Sequence, residues 1–239
     1  MRSVAGDPCV VAWKGDAFRL IPSRFPPVDI YEEVVANDRA EALVEIENLT
    51  NPRLRSAQRL ITASLGIEAD SPRLQNWNHA PFAYSNPEGS RFFPPERPSL
   101  ELADTRQTAL AVSVARREFF LRRTSEPAIG LDMRMLKTPV DGRFLDLRGL
   151  DPAADRDARW LLGAGLADDV DGILYRPPER PSATCVAVKS ASALQRSIQT
   201  VHYRYLWNGS KVTKLYAFDD AGTELSPLAL GGAEEVIAA

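Results

Sequence analysis

The chain has 239 residues, of which 44% are hydrophobic, so it is long enough to bury one sizeable core. Its formal net charge of −3 excludes the strongly basic composition that marks direct binding to nucleic acid or to an anionic membrane. No apolar run reaches the roughly 18 residues that cross a bilayer, and residues 1–16 lack the sustained apolar stretch of a signal peptide, so we expect a cytoplasmic protein.

The first third of the chain predicts two short strands followed by helices. Apolar runs at residues 9–13 and 18–22 are typical of strands. Periodic apolar residues then predict three helices, at 28–37, 39–49 and 53–65. The stretch at 68–88 is polar and contains three prolines, which predicts a long ordered loop.

A strand that leads into a helix forms the centre of the chain. Residues 99–103 alternate between apolar and polar, and Asp104 or Thr105 can cap a helix that runs to about Arg123. Such an arrangement places the end of the strand and the first helical turns around one crevice. We expect the functional site there.

The second half of the chain predicts mostly strands and one α+β domain. The predicted elements are strands at 128–137 and 143–147 around a turn at 139–142, a helix at 151–167, strands at 170–175 and 183–189, and a hairpin of 201–207 with 211–218. Asn208-Gly209 is a strong turn pair for that hairpin. From Ala221 onward the composition predicts a frayed end. Helices followed by mixed strands are typical of a single α+β domain.

Two motifs carry a family resemblance. They are Gly89-Ser90-Arg91-Phe92 with Thr108-Ala109 on the following helix, and Asp171-Gly172-Ile173-Leu174-Tyr175 with Cys185-Val186-Ala187 after it. Both resemble the longer subtype of the RES domain, a toxin family of bacterial toxin–antitoxin systems named for its Arg, Glu and Ser residues. The resemblance implies a RES-like domain at 17–218, between an N-terminal segment at 1–16 and a C-terminal tail at 219–239.

The resemblance also implies a fold and an activity. The implied fold is a split mixed β-sheet with flanking helices, like that of ADP-ribosyltransferases. The implied activity is that of an NAD phosphorylase or glycohydrolase, which breaks the nicotinamide–ribose bond of NAD. Arg91 is the implied clamp for the pyrophosphate, because a guanidinium binds phosphate oxygens bidentately, and Arg19 and Glu101 are further NAD-binding candidates. A helix-turn-helix antitoxin protein is the implied partner.

Three reactive positions depart from the family pattern. An ungapped register puts Glu101 at the family Tyr, Val112 at the family Glu and Pro177 at the family Ser. Valine cannot carry the charge that steadies an oxocarbenium-like centre, and proline has neither a hydroxyl nor a backbone donor. We therefore expect weakened or lost activity. The alternative is a non-catalytic module of the same fold that binds a nucleotide or a partner protein.

Several residues keep two interpretations at this point. Glu101 could supply a substitute carboxylate, or it could be an exposed charge on an edge strand. Arg91 could clamp a phosphate or serve as a structural ion-pair partner, and Ser182 could replace the missing serine if its loop shifts. His79 and His202 have no metal-binding spacing with the cysteines, so no metal is expected.

Overall fold

The structure is a computed structural model that describes residues 9–23, 76–83, 86–150, 155–218 and 223–237. The described residues form one mixed eight-stranded β-sheet with α-helices, which confirms the expected α+β class. The helices predicted at 28–37, 39–49 and 53–65 lie outside the described residues.

The strands of the sheet run in the order β1-β2-β5-β4-β3-β6-β7-β8. They are β1 Cys9–Pro22, β2 Leu100–Ala103, β3 Ile129–Asp146, β4 Gly172–Tyr175, β5 Cys185–Val188, β6 Ile198–Trp207, β7 Val212–Phe218 and β8 Glu224–Leu225. β6 pairs with the first half of β3 and β4 with its last residues, so these two strands diverge along one edge of β3. β1 covers the other edge and also meets β2 at Phe18 and Ala103, which closes five strands into a ring.

The two longest strands correct the sequence prediction. β1 is one strand where two were predicted, and the turn predicted at 139–142 lies inside the continuous strand β3. Pairing between the strands overrides these local signals, with Lys14 and Asp141 joined at 2.8 Å. The carbonyl of Pro139 accepts from the backbone N–H of Gln195 at 2.9 Å. Because the nitrogen and the carbonyl of one strand residue point to the same edge, the Pro139 nitrogen faces the gap between β6 and β4. The N–H that proline lacks therefore interrupts no hydrogen-bond ladder of the described sheet.

Helix α2 (Arg106–Thr124) confirms the prediction for the centre of the chain. Thr105 has extended backbone, and its hydroxyl accepts from the N–H of Thr108 at 3.2 Å, so it is the N-cap. Ser125 ends the helix in the left-handed conformation, with φ of 52°. At 19 residues, α2 is the longest helix described, and no described helix is both long and apolar enough to cross a membrane.

The other two described helices correct the prediction. α1 (Asn76–Ala83) forms inside the stretch predicted as a loop. Tertiary contacts hold it despite an internal proline, because the Asn78 amide donates to the Gln195 carbonyl at 2.9 Å and accepts from Ser197 at 2.5 Å. α3 (Arg156–Ala164) is shorter than the helix predicted at 151–167, and its Leu161 is 74% exposed.

Alternation along β2, β4 and β5 decides which side chains face α2. Residues on one face of these strands pack in the same apolar cluster as α2, and the residues between them pack in a second cluster. Those of the first kind are Ala103, Ile173, Tyr175, Cys185 and Ala187, and those of the second kind are Leu100, Leu102, Leu174, Val186 and Val188. Glu101, between Leu100 and Leu102, therefore points toward α2.

The C-terminal segment corrects the expectation of a frayed end. Residues 223–237 pack against the domain, and Leu230 is buried. The buried guanidinium of Arg180 donates to the carbonyls of Gly232 at 2.8 Å and Ala233 at 3.1 Å. Gln107 of α2 donates to the carbonyl of Glu234 at 2.9 Å. These bonds fix a segment that composition alone describes as flexible.

Candidate functional site

A cavity of about 810 Å³ opens between strand β2 and helix α2, and we call it the β2–α2 cavity. Its walls come from residues 18–20 of β1, the loop at 86–91, strand β2 and the face of α2 that carries Val112 and Ala115. The volume falls in the range of roughly 300–1,000 Å³ that is usual for small-molecule and cofactor sites. The cavity lies between the strand and the following helix, where the sequence analysis expects the functional site.

A tight loop and helix α3 bring Arg91 to the cavity. Gly89 has φ of 71°, and a Cβ there would lie 2.8 Å from the Phe93 carbonyl and from the Trp160 ring, so only glycine fits. The Trp160 indole donates to the Ser90 carbonyl at 3.0 Å, and Arg159 Nε donates to the Arg91 carbonyl at 3.1 Å. The main chain on both sides of the Arg91 Cα is therefore held by α3.

The Arg91 side chain lies on an aromatic ring. Its guanidinium carbon is 5.5 Å from the centroid of Tyr175, which is a cation–π arrangement. Tyr175 also packs against Phe92, with ring centroids 5.0 Å apart. Burial raises the pKa of the Tyr175 phenol well above its ordinary value, so the ring stays neutral. Arg91 thus presents a cation beside a neutral aromatic surface.

Glu101 is a buried member of the site, and its interpretation as an exposed edge-strand charge is wrong. β2 lies between β1 and β5, and the side chain of Glu101 is only 8% exposed. Its carboxylate accepts from the backbone N–H of Arg91 at 3.1 Å and forms an ion pair with Arg116 of α2. These two donors hold the carboxylate at the floor of the cavity.

The described lining of the cavity is cationic, because arginines outnumber carboxylates seven to three. The arginines are Arg19, Arg91, Arg116, Arg117, Arg122, Arg123 and Arg159, and the carboxylates are Glu88, Glu101 and Glu179. Burial lowers the pKa of Arg19 to about 10. Burial and the neighbouring Arg91 also lower the pKa of Arg159. Both still carry charge at neutral pH, so the lining suits an anionic ligand.

The structure brings most of the sequence-predicted positions together. Arg19, Arg91, Glu101 and Val112 all line the cavity. Pro177 is buried outside the lining, and its carbonyl accepts from the N–H of Arg180 at 3.1 Å.

Two residues beyond Pro177, Glu179 lines the cavity, whereas Ser182 is exposed and lies outside the described lining. The loop after β4 thus contributes a carboxylate to the described lining.

Sequence reasoning did not assign Tyr175, Arg116 or Arg159 to the site, although all three line the cavity. The sequence predicts Tyr175 only as the end of a motif strand, although a position at the carboxyl end of β4 is itself a signal for the site. Arg116 lies one helical turn after Val112, so helical spacing could have identified it. Arg159 contacts Arg91 from 68 positions along the chain, and no local signal indicates such a contact.

No three His, Cys, Asp or Glu side chains among the described residues lie close enough to hold a metal ion. His202 instead contacts Gln199, with Nε2 at 2.7 Å from the amide nitrogen. The side chain of His79 lies outside the described residues. Both cysteines are described and are free thiols, Cys9 exposed and Cys185 buried.

Comparison with known proteins agrees with the two sequence motifs. A family model described as the RES domain matches residues 68–208. The chain is also 60% identical over 228 residues to the uncharacterized protein y4oC of Sinorhizobium fredii (strain NBRC 101917 / NGR234), which covers 95% of this chain and 98% of that protein. Because the family model spans more than half of the chain, the protein belongs to the RES domain family.

Proposed function

We propose that the chain binds NAD in the β2–α2 cavity and slowly cleaves its nicotinamide–ribose bond, as a RES protein of the toxin–antitoxin class. The observation that carries the proposal is the cationic lining around Arg91, whose guanidinium lies over Tyr175 near the buried carboxylate of Glu101. Guanidinium groups suit a pyrophosphate, an aromatic ring suits nicotinamide, and a carboxylate suits ribose hydroxyls. The proposal includes a relationship between this fold and that of ADP-ribosyltransferases.

In the proposed reaction, the bond between ribose C1′ and the nicotinamide nitrogen breaks. The electron pair of that bond goes to the nicotinamide nitrogen and neutralises it, which leaves an oxocarbenium-like ribose. Water then adds at C1′ and releases one proton to solvent, giving ADP-ribose. Inorganic phosphate can add instead and gives ADP-ribose phosphorylated at C1′.

We expect slow turnover because the described wall of the cavity formed by α2 lacks a carboxylate. Val112 lies there and offers no charge to the developing cation. Loss of one preorganised electrostatic group costs about 3 kcal/mol, or on the order of a hundredfold in rate. We expect NAD to bind through the arginines and to turn over far more slowly than in family members that keep the complete set.

An NAD-consumption assay with the purified chain tests this function. NAD, nicotinamide and ADP-ribose are followed with and without phosphate, and NAD affinity is measured by calorimetry. Arg91→Ala should abolish binding and turnover, whereas Arg143→Ala, which removes an exposed ion pair with Asp169, should change neither. The proposal is wrong if NAD does not bind, or if NAD loss is unaffected by Arg91→Ala. Binding without turnover would support the alternative of a non-catalytic nucleotide-binding module.

The proposal also includes a helix-turn-helix antitoxin partner. The test is expression of the chain in a bacterial host, alone and together with the product of a neighbouring helix-turn-helix gene. We expect co-purification of the two proteins and relief of any fall in cellular NAD. Full NAD depletion in the presence of that partner would contradict the pairing.

A further inference from the structure

We propose that Glu101 supplies the negative charge for bond cleavage in this chain, from strand β2 and not from helix α2. The inference rests on the proposed function and names the group that stabilises the positive charge during cleavage of the nicotinamide–ribose bond. It departs from the family pattern, in which the carboxylate belongs to the helix position held here by Val112.

Arg116 connects the two positions in space. Val112 and Arg116 are four residues apart on α2, so their side chains lie on the same helix face. The Arg116 guanidinium pairs with the Glu101 carboxylate. Glu101 therefore reaches, from the sheet, the same part of the cavity that a carboxylate at Val112 would reach from the helix.

The other carboxylates of the described lining are less suited to the role. Glu88 lies at the rim, where its side chain is 57% exposed and paired with Arg123. Glu179 lies on the loop after β4, and no hydrogen bond or ion pair to it is found within the described residues. Only Glu101 is buried and held by two donors. A charge stabilises a transition state best when it is fixed and shielded from water before the reaction.

Arg116 pairs with this carboxylate from the more exposed side of the cavity. Its side chain is 54% exposed, whereas that of Glu101 is 8% exposed, so the guanidinium can turn toward a ligand while the carboxylate stays at the floor. A pyrophosphate bound near Arg116 would draw the guanidinium away from Glu101. The backbone N–H of Arg91 would still hold the carboxylate, which would then face the ribose.

The test begins with Glu101→Gln, which keeps an oxygen to accept the Arg91 N–H but removes the charge. We expect the kcat for NAD to fall about a hundredfold, while the Kd of ADP-ribose stays within about threefold of the wild-type value. Glu224→Gln, which removes an exposed surface pair with Lys214, should leave both quantities unchanged. Retained ADP-ribose binding shows that the variant is folded and its cavity intact.

Rescue separates a charge role from a structural one. Adding Val112→Glu to Glu101→Gln should restore turnover at least tenfold, because it returns a carboxylate to the same space from the other element. Wild-type turnover in Glu101→Gln, a loss confined to Glu179→Gln, or NAD binding with no measurable cleavage by the wild type would each overturn the inference. NAD binding without cleavage would overturn this inference but keep the proposed NAD-binding site. Failure to bind NAD would overturn the proposed function as well.

Discussion

The backbone N–H of Arg91 donates a hydrogen bond of 3.1 Å to the carboxylate of Glu101. This bond joins the loop at 86–91 to strand β2, so the main chain of Arg91 and the carboxylate keep a fixed relative position. The Arg91 guanidinium extends to the ring of Tyr175, 5.5 Å away. One residue thus fixes a carboxylate with its main chain and presents a cation with its side chain.

The first prediction concerns the contact between α3 and the loop that carries Arg91. A Cβ at Gly163 would overlap the carbonyl oxygen of Phe92. Because both groups are backbone, neither can move aside cheaply, and we expect Gly163→Ala to lower the free energy of unfolding by about 2–3 kcal/mol. Displacement of the loop should also weaken NAD binding. Urea denaturation and calorimetry measure the two effects.

Gly165→Ala is the matched control in the same helix. Its φ of −82° suits any residue, and the nearest atom to an added Cβ, the Leu161 carbonyl oxygen, is 3.4 Å away. We expect a change within about 1 kcal/mol and unaltered NAD affinity. Equal behaviour of the two alanine variants would show that the loop does not depend on close approach at Gly163.

The second prediction concerns the C-terminal segment. The Arg180 side chain is 3% exposed and donates to main-chain carbonyls at 232–234, to the hydroxyls of Thr105 and Thr108, and to Glu235. Arg180→Ala leaves these acceptors without their donor, so we expect a loss of about 3 kcal/mol in the free energy of unfolding. In this variant, amide hydrogen exchange should accelerate more in residues 223–237 than in the other strands of the sheet.

Arg143→Ala provides the comparison for Arg180. Arg143 pairs with Asp169 at the surface, where both side chains are more than half exposed, and such pairs contribute about 0–1 kcal/mol. If Arg180→Ala costs no more than Arg143→Ala, the C-terminal segment is not held by the buried guanidinium.

The third prediction concerns alkaline pH. Burial raises the pKa of the Cys185 thiol from 9.0 to about 12, so between these values the unfolded chain loses a proton that the folded chain keeps. Folding stability should therefore be complete below pH 9 and fall as the pH rises from 9 toward 12. Cys185→Ala should reduce the slope by up to about 1.4 kcal/mol per pH unit. Urea denaturation from pH 8 to 10.5 measures it.

Thiol labelling gives an independent check of the same burial. In the native protein at pH 8, iodoacetamide should modify Cys9, which is exposed, and spare Cys185, whereas in urea both should react. Cys9→Ala should leave the alkaline slope unchanged. Rapid native labelling of Cys185 would contradict the assignment. Part of the slope should persist in Cys185→Ala, because burial also raises the pKa of Tyr175 and Tyr205.

Local signals made part of this fold predictable from the sequence. The Thr105 cap gave the start of α2, and Asn208-Gly209 gave the hairpin of β6 and β7, with Gly209 at φ of 95°. The two separate strands predicted at 9–13 and 18–22 and the turn predicted at 139–142 were wrong. These two regions pair with each other, with Asp16 opposite Pro139, so long-range pairing decides their conformation.

The candidate site was also only partly predictable from the sequence. Arg91 and Glu101 are only ten residues apart in sequence, and both line the cavity at the strand that leads into α2, where the sequence predicted a crevice. The supports of Arg91 from α3, and the ring of Tyr175 beneath its guanidinium, come from distant parts of the chain. Only tertiary packing brings those groups together.

The last prediction concerns variants that move the carboxylate from Glu101 on β2 to position 112 on α2. Combining Val112→Glu, Glu101→Tyr and Pro177→Ser introduces the residues that the family resemblance implies at these three positions, and under the proposed function we expect NAD turnover to rise at least tenfold over the wild type. Val112→Glu would place a carboxylate within reach of Arg116, which loses its present partner in Glu101→Tyr. Nicotinamide release under saturating NAD measures the rise.

The single changes should behave very differently, because groups that act as a unit are not additive. Glu101→Tyr alone should remove the remaining turnover, since it deletes the carboxylate without replacing it. Pro177→Ser should add least, because Pro177 lies outside the described lining, so the double variant of 101 and 112 should approach the triple. A triple variant that binds ADP-ribose normally but turns over no faster than the wild type would show that the position of the carboxylate does not limit the rate. Turnover would then be limited by another feature of the cavity, such as the ion pairs that engage its arginines at the rim.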